Sequence, residues 1–189
     1  MRYHRSDVVD RALGVLDTYG LGDLTMRRLG AELGVQPSAL YHHFANKQTL
    51  LAAVADEMLA RGRRASRPAA WDAWVVAVCS ELRDAMLAYR DGAEVVATVH
   101  AFGLGAGAPY DELVDALTGG GFDDDLARTA ARTLLHFVFG HTGEEQTHLQ
   151  AGSVGAIQDE PRDHSDFELG LALVMDGIRL RHPVRPAAP

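Results

Sequence analysis

Cysteine is nearly absent: the 189-residue chain holds one, Cys79, so no internal disulfide framework is open to it. Long apolar runs are missing too. No stretch approaches the roughly 20 residues that a bilayer span requires. Residues 1–20 lack the apolar core of a secretion signal. No segment shows a convincing period-two alternation of the kind a strand carries. Catalytic signatures are also lacking, with no Gly-x-Ser-x-Gly elbow, phosphate-cradling glycine loop or His-Glu-x-x-His. The alternating glycines at 103, 105 and 107 follow no strand and read as a connector. The expectation is a cytoplasmic protein with no membrane partner that is not an enzyme. What is present is a globular composition, 47% hydrophobic, which is enough to bury a core.

Acidic residues outnumber basic ones, 26 to 18, for a net charge of −8. Spread evenly, that charge would oppose nucleic-acid binding, but it is not even. Residues 1–64 hold nine Arg or Lys against seven Asp or Glu, whereas residues 65–189 hold nine against nineteen. A neutral-to-basic N-terminal part can approach phosphates, while an acidic remainder is repelled by them. The asymmetry points to two jobs on one chain.

Hydrophobic periodicity reads as helix nearly throughout. Ser6 is an N-cap candidate ahead of Val9, Leu13 and Leu16, with Gly20 as the stop. Thr25 caps a short second helix carrying Leu29 and Leu33 and ended by Gly34. Pro37 opens a third, where its missing N–H costs nothing. Asn46 caps a fourth, with Leu51, Val54, Ala55 and Met58 on one face. After a break at Ser66-Arg67-Pro68, Trp71, Trp74, Val75, Val78, Leu82, Met86 and Tyr89 form one apolar stripe. Val95, Val96, Val99 and Phe102 mark a shorter helix, and residues 109–117 another. Asp123 caps a long helix bearing Leu126, Ala130, Leu134, Phe137 and Val138. Residues 151–164 read as a loop, and Ser165 with Glu168 as a capping box for a last helix through Phe167, Leu171, Val174 and Ile178.

The informative stretch runs from Leu24 to Lys47, LTMRRLGAELGVQPSALYHHFANK. A helix-turn-helix needs two short helices crossing steeply around a tight turn. Gly30 falls where the helices touch, Gly34 supplies the turn, and Leu29, Leu33, Val35 and Leu40 take the inward positions. Pro37, Ser38, Ala39, Tyr41, His42 and His43 then face outward. Hydroxyls and imidazoles suit phosphates and base edges, and a small apolar side chain suits a thymine methyl. Lys47, at the next helix N-terminus, can meet a backbone phosphate. An ordinary helical hairpin would carry Glu and Lys where Tyr41-His42-His43 stands before Phe44.

The run GVQPSALYHHFANKQTLL resembles the DNA-reading helix and following linker helix of the tetracycline-repressor (TetR) family. The resemblance implies an all-α fold: an N-terminal three-helix helix-turn-helix domain over residues 1–46, a linker helix over 47–65, and a larger effector-binding and dimerisation domain over 66–189. The expected DNA-contacting set is Thr25, Arg27, Arg28, Gln36, Pro37, Ser38, Ala39, Tyr41, His42, His43 and Lys47. Gln36 departs from the family pattern, in which many members place Ser as the N-cap.

In the C-terminal part, YRDGAEVV, HFVFGHTGEEQTH and FELGLALVMDG resemble segments of the tetracycline repressors. That likeness implies a ten-helix plan and a homodimer built on the last two long helices, with Gly140 and Gly170 at close crossings. Gly140→Arg or Leu171→Arg is then expected to break the dimer. In the tetracycline repressors a His and a Thr after Arg-Asp-Gly hold the drug's magnesium chelate. Here Val96 and Val99 take those places, and other polar drug contacts become Arg63, Val78 and Leu82, leaving Glu144. Valine cannot ligate a hard cation. The expected effector is therefore small, largely apolar and different from tetracycline–magnesium. Its expected lining is Trp74, Val78, Leu82, Met86, Val96, Val99, His100, Phe137 and Glu144, with no cofactor or bound metal. His141, Glu144 or Glu145, and His148 have the spacing of ligands on a helix face, against which stands a solvated polar end of the interface. The implied partners are double-stranded operator DNA, a small-molecule effector and a second copy of the chain. The alternative is a helix-turn-helix protein with a filled C-terminal core that acts through a protein partner.

Overall fold

The computed structural model describes residues 3–64, 66–153 and 165–182, and among these it holds nine helices and no strand. They are α1 (Arg5–Tyr19), α2 (Met26–Leu33), α3 (Pro37–Leu40), α4 (Lys47–Gly62), α5 (Trp71–Leu87), α6 (Gly92–Ala101), α7 (Ala108–Gly119), α8 (Asp124–Ser153) and α9 (Phe167–Arg179). The helices pack into two compact units. One gathers Met1–Arg63 with Leu82–Gly107, the other Arg64–Glu81 with Ala108–Pro189. This partition by packing differs from the division at residues 46 and 65 that the resemblance implies, because Leu82–Gly107 joins the N-terminal residues. None of the described helices is long and apolar enough to cross a membrane.

In the first unit α1 buries Val8, Val9, Ala12, Leu13, Val15 and Leu16, and packs on α2 and α4. It begins one residue ahead of Ser6, with His4 at the N-cap. Asp7 explains the displacement, since its carboxylate reaches back to accept the His4 N–H at 2.7 Å. α4 is capped as expected: Asn46 Oδ1 accepts the Thr49 N–H at 2.9 Å, and Thr49 Oγ1 accepts the Asn46 N–H at 3.2 Å. Its buried face holds Leu50, Ala52, Val54, Ala55 and Met58, with Leu50 rather than Leu51 fully inside, and it packs on α1 and α6. Between α5 and α6, Asp91 takes a left-handed conformation, φ 56°, and its carboxylate accepts the Leu21 N–H at 2.7 Å. Gly92 follows because a Cβ there would lie 2.2 Å from the Met86 carbonyl oxygen. After α6, the Ala106 N–H donates to Asp56 Oδ1 of α4 at 2.7 Å, and the Ala106 carbonyl lies 3.2 Å from His100 Nδ1.

In the second unit the Arg67 guanidinium is held between Glu81, at 2.6 Å, and Glu112, at 2.7 Å. α8 packs on α7 and α9. The Trp71 ring meets Phe122 edge-on at 5.0 Å and stacks on His182 at 5.5 Å. Asp123 caps α8 as expected, accepting the Leu126 N–H at 2.9 Å. The helix runs to Ser153, so residues 151–153 are helical rather than loop, and 154–164 lie outside the described residues. α9 opens at Phe167 with Asp166 at its N-cap, one residue beyond the predicted cap, and Ser165 Oγ accepts the Phe167 N–H at 3.4 Å. Gly170 is a close crossing, since a Cβ there would stand 2.7 Å from the Phe137 ring. Gly140 faces open space. Leu171 is 3% exposed and belongs to the chain's own core, so it cannot serve as a dimer probe; Leu169 and Leu173, 64% and 67% exposed, are the outward leucines of α9.

Candidate nucleic-acid interface

The helix-turn-helix is assembled by two glycines and one cap. Thr25 Oγ1 accepts the Arg28 N–H at 3.1 Å and starts α2. Gly34, left-handed at φ 66°, ends it. A Cβ on Gly30 would meet the Val35 carbonyl oxygen at 2.9 Å and the Pro37 nitrogen at 3.3 Å, so the start of α3 lies directly on α2 there. Leu29, Leu33, Leu40 and Phe44 are buried beneath the pair, with Val35 half-buried. This fixes the outward register of the following residues. Thr25, Arg27, Gln36, Ser38, Tyr41, His42 and His43 are exposed, while Arg28, Pro37, Ala39 and Lys47 are half-buried.

Two of the expected cations are engaged within the chain. The Arg28 guanidinium lies 3.5 Å from the Tyr19 ring centroid and 3.8 Å from Asp23. Lys47 Nζ donates to the Leu21 carbonyl at 3.3 Å. Two further residues of the region were not found by sequence reading. The Tyr3 hydroxyl donates to the Leu33 carbonyl at 2.8 Å, fastening the chain before α1 to the end of α2. The Arg5 guanidinium sits over the Phe44 ring at 4.8 Å, an exposed cation close to the recognition segment. Spacing carries no trace of either, because the partners are distant in sequence. The surface thus offers a phenol, a hydroxyl, imidazoles and guanidinium groups on a single-turn helix and its flanks, a set suited to phosphates and base edges.

Family models match most of the chain. One described as bacterial regulatory proteins, tetR family, matches residues 8–54. A second, described as tetracyclin repressor-like, C-terminal domain, matches residues 65–165. The chain belongs to the TetR family. This TetR-family protein is a DNA-binding transcriptional regulator. It is 38% identical to the tetracycline repressor protein class A from transposon 1721 of Escherichia coli, across 94% of this chain and 91% of that one. Among solved structures, that of Mycobacterium smegmatis BioQ superposes with a TM-score of 0.87 at 41% identity, covering 95% of this chain and 99% of that one. A BioQ structure with its double-stranded DNA operator gives 0.81 at 41% identity, covering 94% and 98%.

The expected effector-contacting residues of this TetR-family regulator divide between the two units. In the first, Leu82, Met86, Val96 and Val99 are buried and His100 is half-buried. In the second, Val78 is buried, Trp74 is half-buried, and Phe137 packs on Phe167 and His141 at centroid distances of 5.5 and 5.6 Å. Glu144 is exposed on α8. His141 Nδ1 lies 3.7 Å from Glu145, yet among the described residues no group of three or more His, Cys, Asp or Glu side chains is placed to hold a metal ion.

Proposed function

We propose that this TetR-family regulator is a repressor that binds a near-palindromic operator as a homodimer and releases it when a small, largely apolar effector other than tetracycline–magnesium binds. A four-residue α3 reads only a few base pairs, and a twofold axis doubles the site. The related protein solved with its double-stranded DNA operator supports the DNA half of this reading. Support for the dimer comes from α8 and α9, where Leu169, Leu173, Gly140 and Gly177 are uncovered in the single chain.

The observation that carries the effector half is on α6. Val96 and Val99, 0% and 2% exposed, stand where the resemblance puts the chelating His and Thr of the tetracycline repressors. A hard cation takes oxygen ligands, and two buried isopropyl groups supply none. We place the effector's first contacts on this helix, at Val96, Val99 and His100. An effector acts only through unequal affinity for the two domain arrangements. The Asp56–Ala106 hydrogen bond offers α4 a direct tie to the chain that follows α6, so displacement of α6 reaches the helix next to the recognition segment. The test is operator release followed by gel shift in magnesium-tetracycline. The operator is expected to stay bound at concentrations that saturate the tetracycline repressors. Release at low micromolar drug would overturn the effector assignment.

A further inference from the structure

The start of the chain is tied to the helix-turn-helix at two points. The Tyr3 hydroxyl donates at 2.8 Å to the carbonyl of Leu33, the last residue of α2. Two residues on, the Arg5 guanidinium stands over the Phe44 ring, 4.8 Å from its centroid. That ring is a fixed base. Phe44 is 1% exposed, and its N–H donates at 3.0 Å to the carbonyl of Leu40, the last residue of α3. A cation over a ring presents its face to it, while the five N–H donors of a guanidinium lie in its plane. Arg5 is exposed, and among the described residues none accepts a hydrogen bond from those donors or pairs with the charge. Asp7, the acid in the same turn, is taken up by the His4 N–H at 2.7 Å. Arg28 and Lys47 differ in this respect, since Arg28 has Asp23 at 3.8 Å and Lys47 the Leu21 carbonyl at 3.3 Å.

We propose that Arg5, positioned by Tyr3 and Phe44, binds a backbone phosphate of the DNA beside the bases that α3 reads. A phosphate accepts two parallel N–H bonds from a guanidinium edge, the part of Arg5 that the ring leaves open. The tie at Tyr3 and the ring under Arg5 hold the cation against the protein's own surface. That placement suits a phosphate at the rim of a groove, whereas base edges lie deeper within it. The inference rests on the reading of α3 as the DNA-reading helix and adds a contact from the first residue of α1.

The test measures binding by fluorescence anisotropy for the full chain as wild type, Arg5→Met, Arg5→Lys and Tyr41→Ala. The probes are a duplex enriched from a random pool by wild type and a scrambled duplex of the same composition, each titrated across about 50–200 mM salt. Arg5→Met keeps an apolar stem over Phe44 and loses the charge. It is expected to bind both duplexes more weakly by the same factor and to flatten the plot of log affinity against log salt by about one unit per chain. Arg5→Lys should keep the slope. A slope unchanged in Arg5→Met, whatever its affinity or melting temperature, overturns the assignment, because a merely structural residue leaves the number of released counterions as it was. A slope lost equally in Arg5→Lys overturns it too. Unequal losses on the two duplexes would put Arg5 on a base edge and overturn the phosphate assignment. An unchanged slope in Arg5→Met beside weakened binding by Tyr41→Ala sinks the Arg5 contact alone, and binding untouched in both sinks the reading of α3 with it.

Discussion

At Gly30 the atoms that a Cβ would meet are backbone, the Val35 carbonyl oxygen and the Pro37 nitrogen, and neither can yield without moving α3. Gly30→Ala is therefore expected to lower both the melting temperature and operator affinity. Gly140→Ala, which meets open space, should leave the fold of the single chain intact. Melting curves with gel shifts on the two variants check the contrast. Tyr41, 52% exposed beside a buried Phe44, is free to reach a phosphate. Its replacement by Ala should weaken binding by about 1–2 kcal/mol at every sequence, whereas Ser38 variants should change which sequence is preferred. Fluorescence anisotropy on operator and scrambled duplexes separates the two. Cys79 is fully enclosed, and burial pushes its thiol up to about 12, so alkylation by iodoacetamide should need denaturant.

Among the elements, what could be read from sequence was what is decided locally. Thr25, Asn46 and Asp123 cap α2, α4 and α8 through hydrogen bonds three residues long, and Gly34 stops α2 because it can turn left-handed. Local competition accounts for the shifted start of α1, where Asp7 pulls the cap back to His4. The buried face of the C-terminal half of α8 was hidden for another reason. Hydrophobic periodicity registers only apolar residues, and Thr142 and Gln146 are polar residues on the buried stripe. In the second unit, Arg179 binds Asp72 at 3.0 Å and holds its carboxyl below the ordinary value. A depressed carboxylate contributes stability above its unfolded pKa, near 4, and loses it as pH falls through the folded value. Both partners are about a third or more exposed, so Arg179→Met should cost under about 1 kcal/mol at neutral pH. The variant and wild type should converge once Asp72 is protonated, as acid titrations of melting temperature would reveal.

For the whole molecule, the helical content expected from the sequence survives in the structure, but the packing partition does not follow chain order. Asp91 reaches Leu21 across 70 positions and Asp56 reaches Ala106 across 50, distances over which a single sequence carries no signal. These ties bring Leu82–Gly107 into the unit of the helix-turn-helix. Leu169 and Leu173 are the outward leucines of α9, and Leu169→Arg with Leu173→Arg should give monomers by sedimentation that bind operator poorly. A dimer that persists in the double variant would move the interface elsewhere. Symmetric DNA reading through α2 and α3 is tested most directly by selecting bound duplexes from a random pool with the 189-residue chain. An inverted repeat is expected, with Tyr41→Ala weakening recovery and Ser38 variants altering the half-site. Enrichment of a sequence without twofold symmetry, or of the same sequence at the same affinity by both variants, would contradict it.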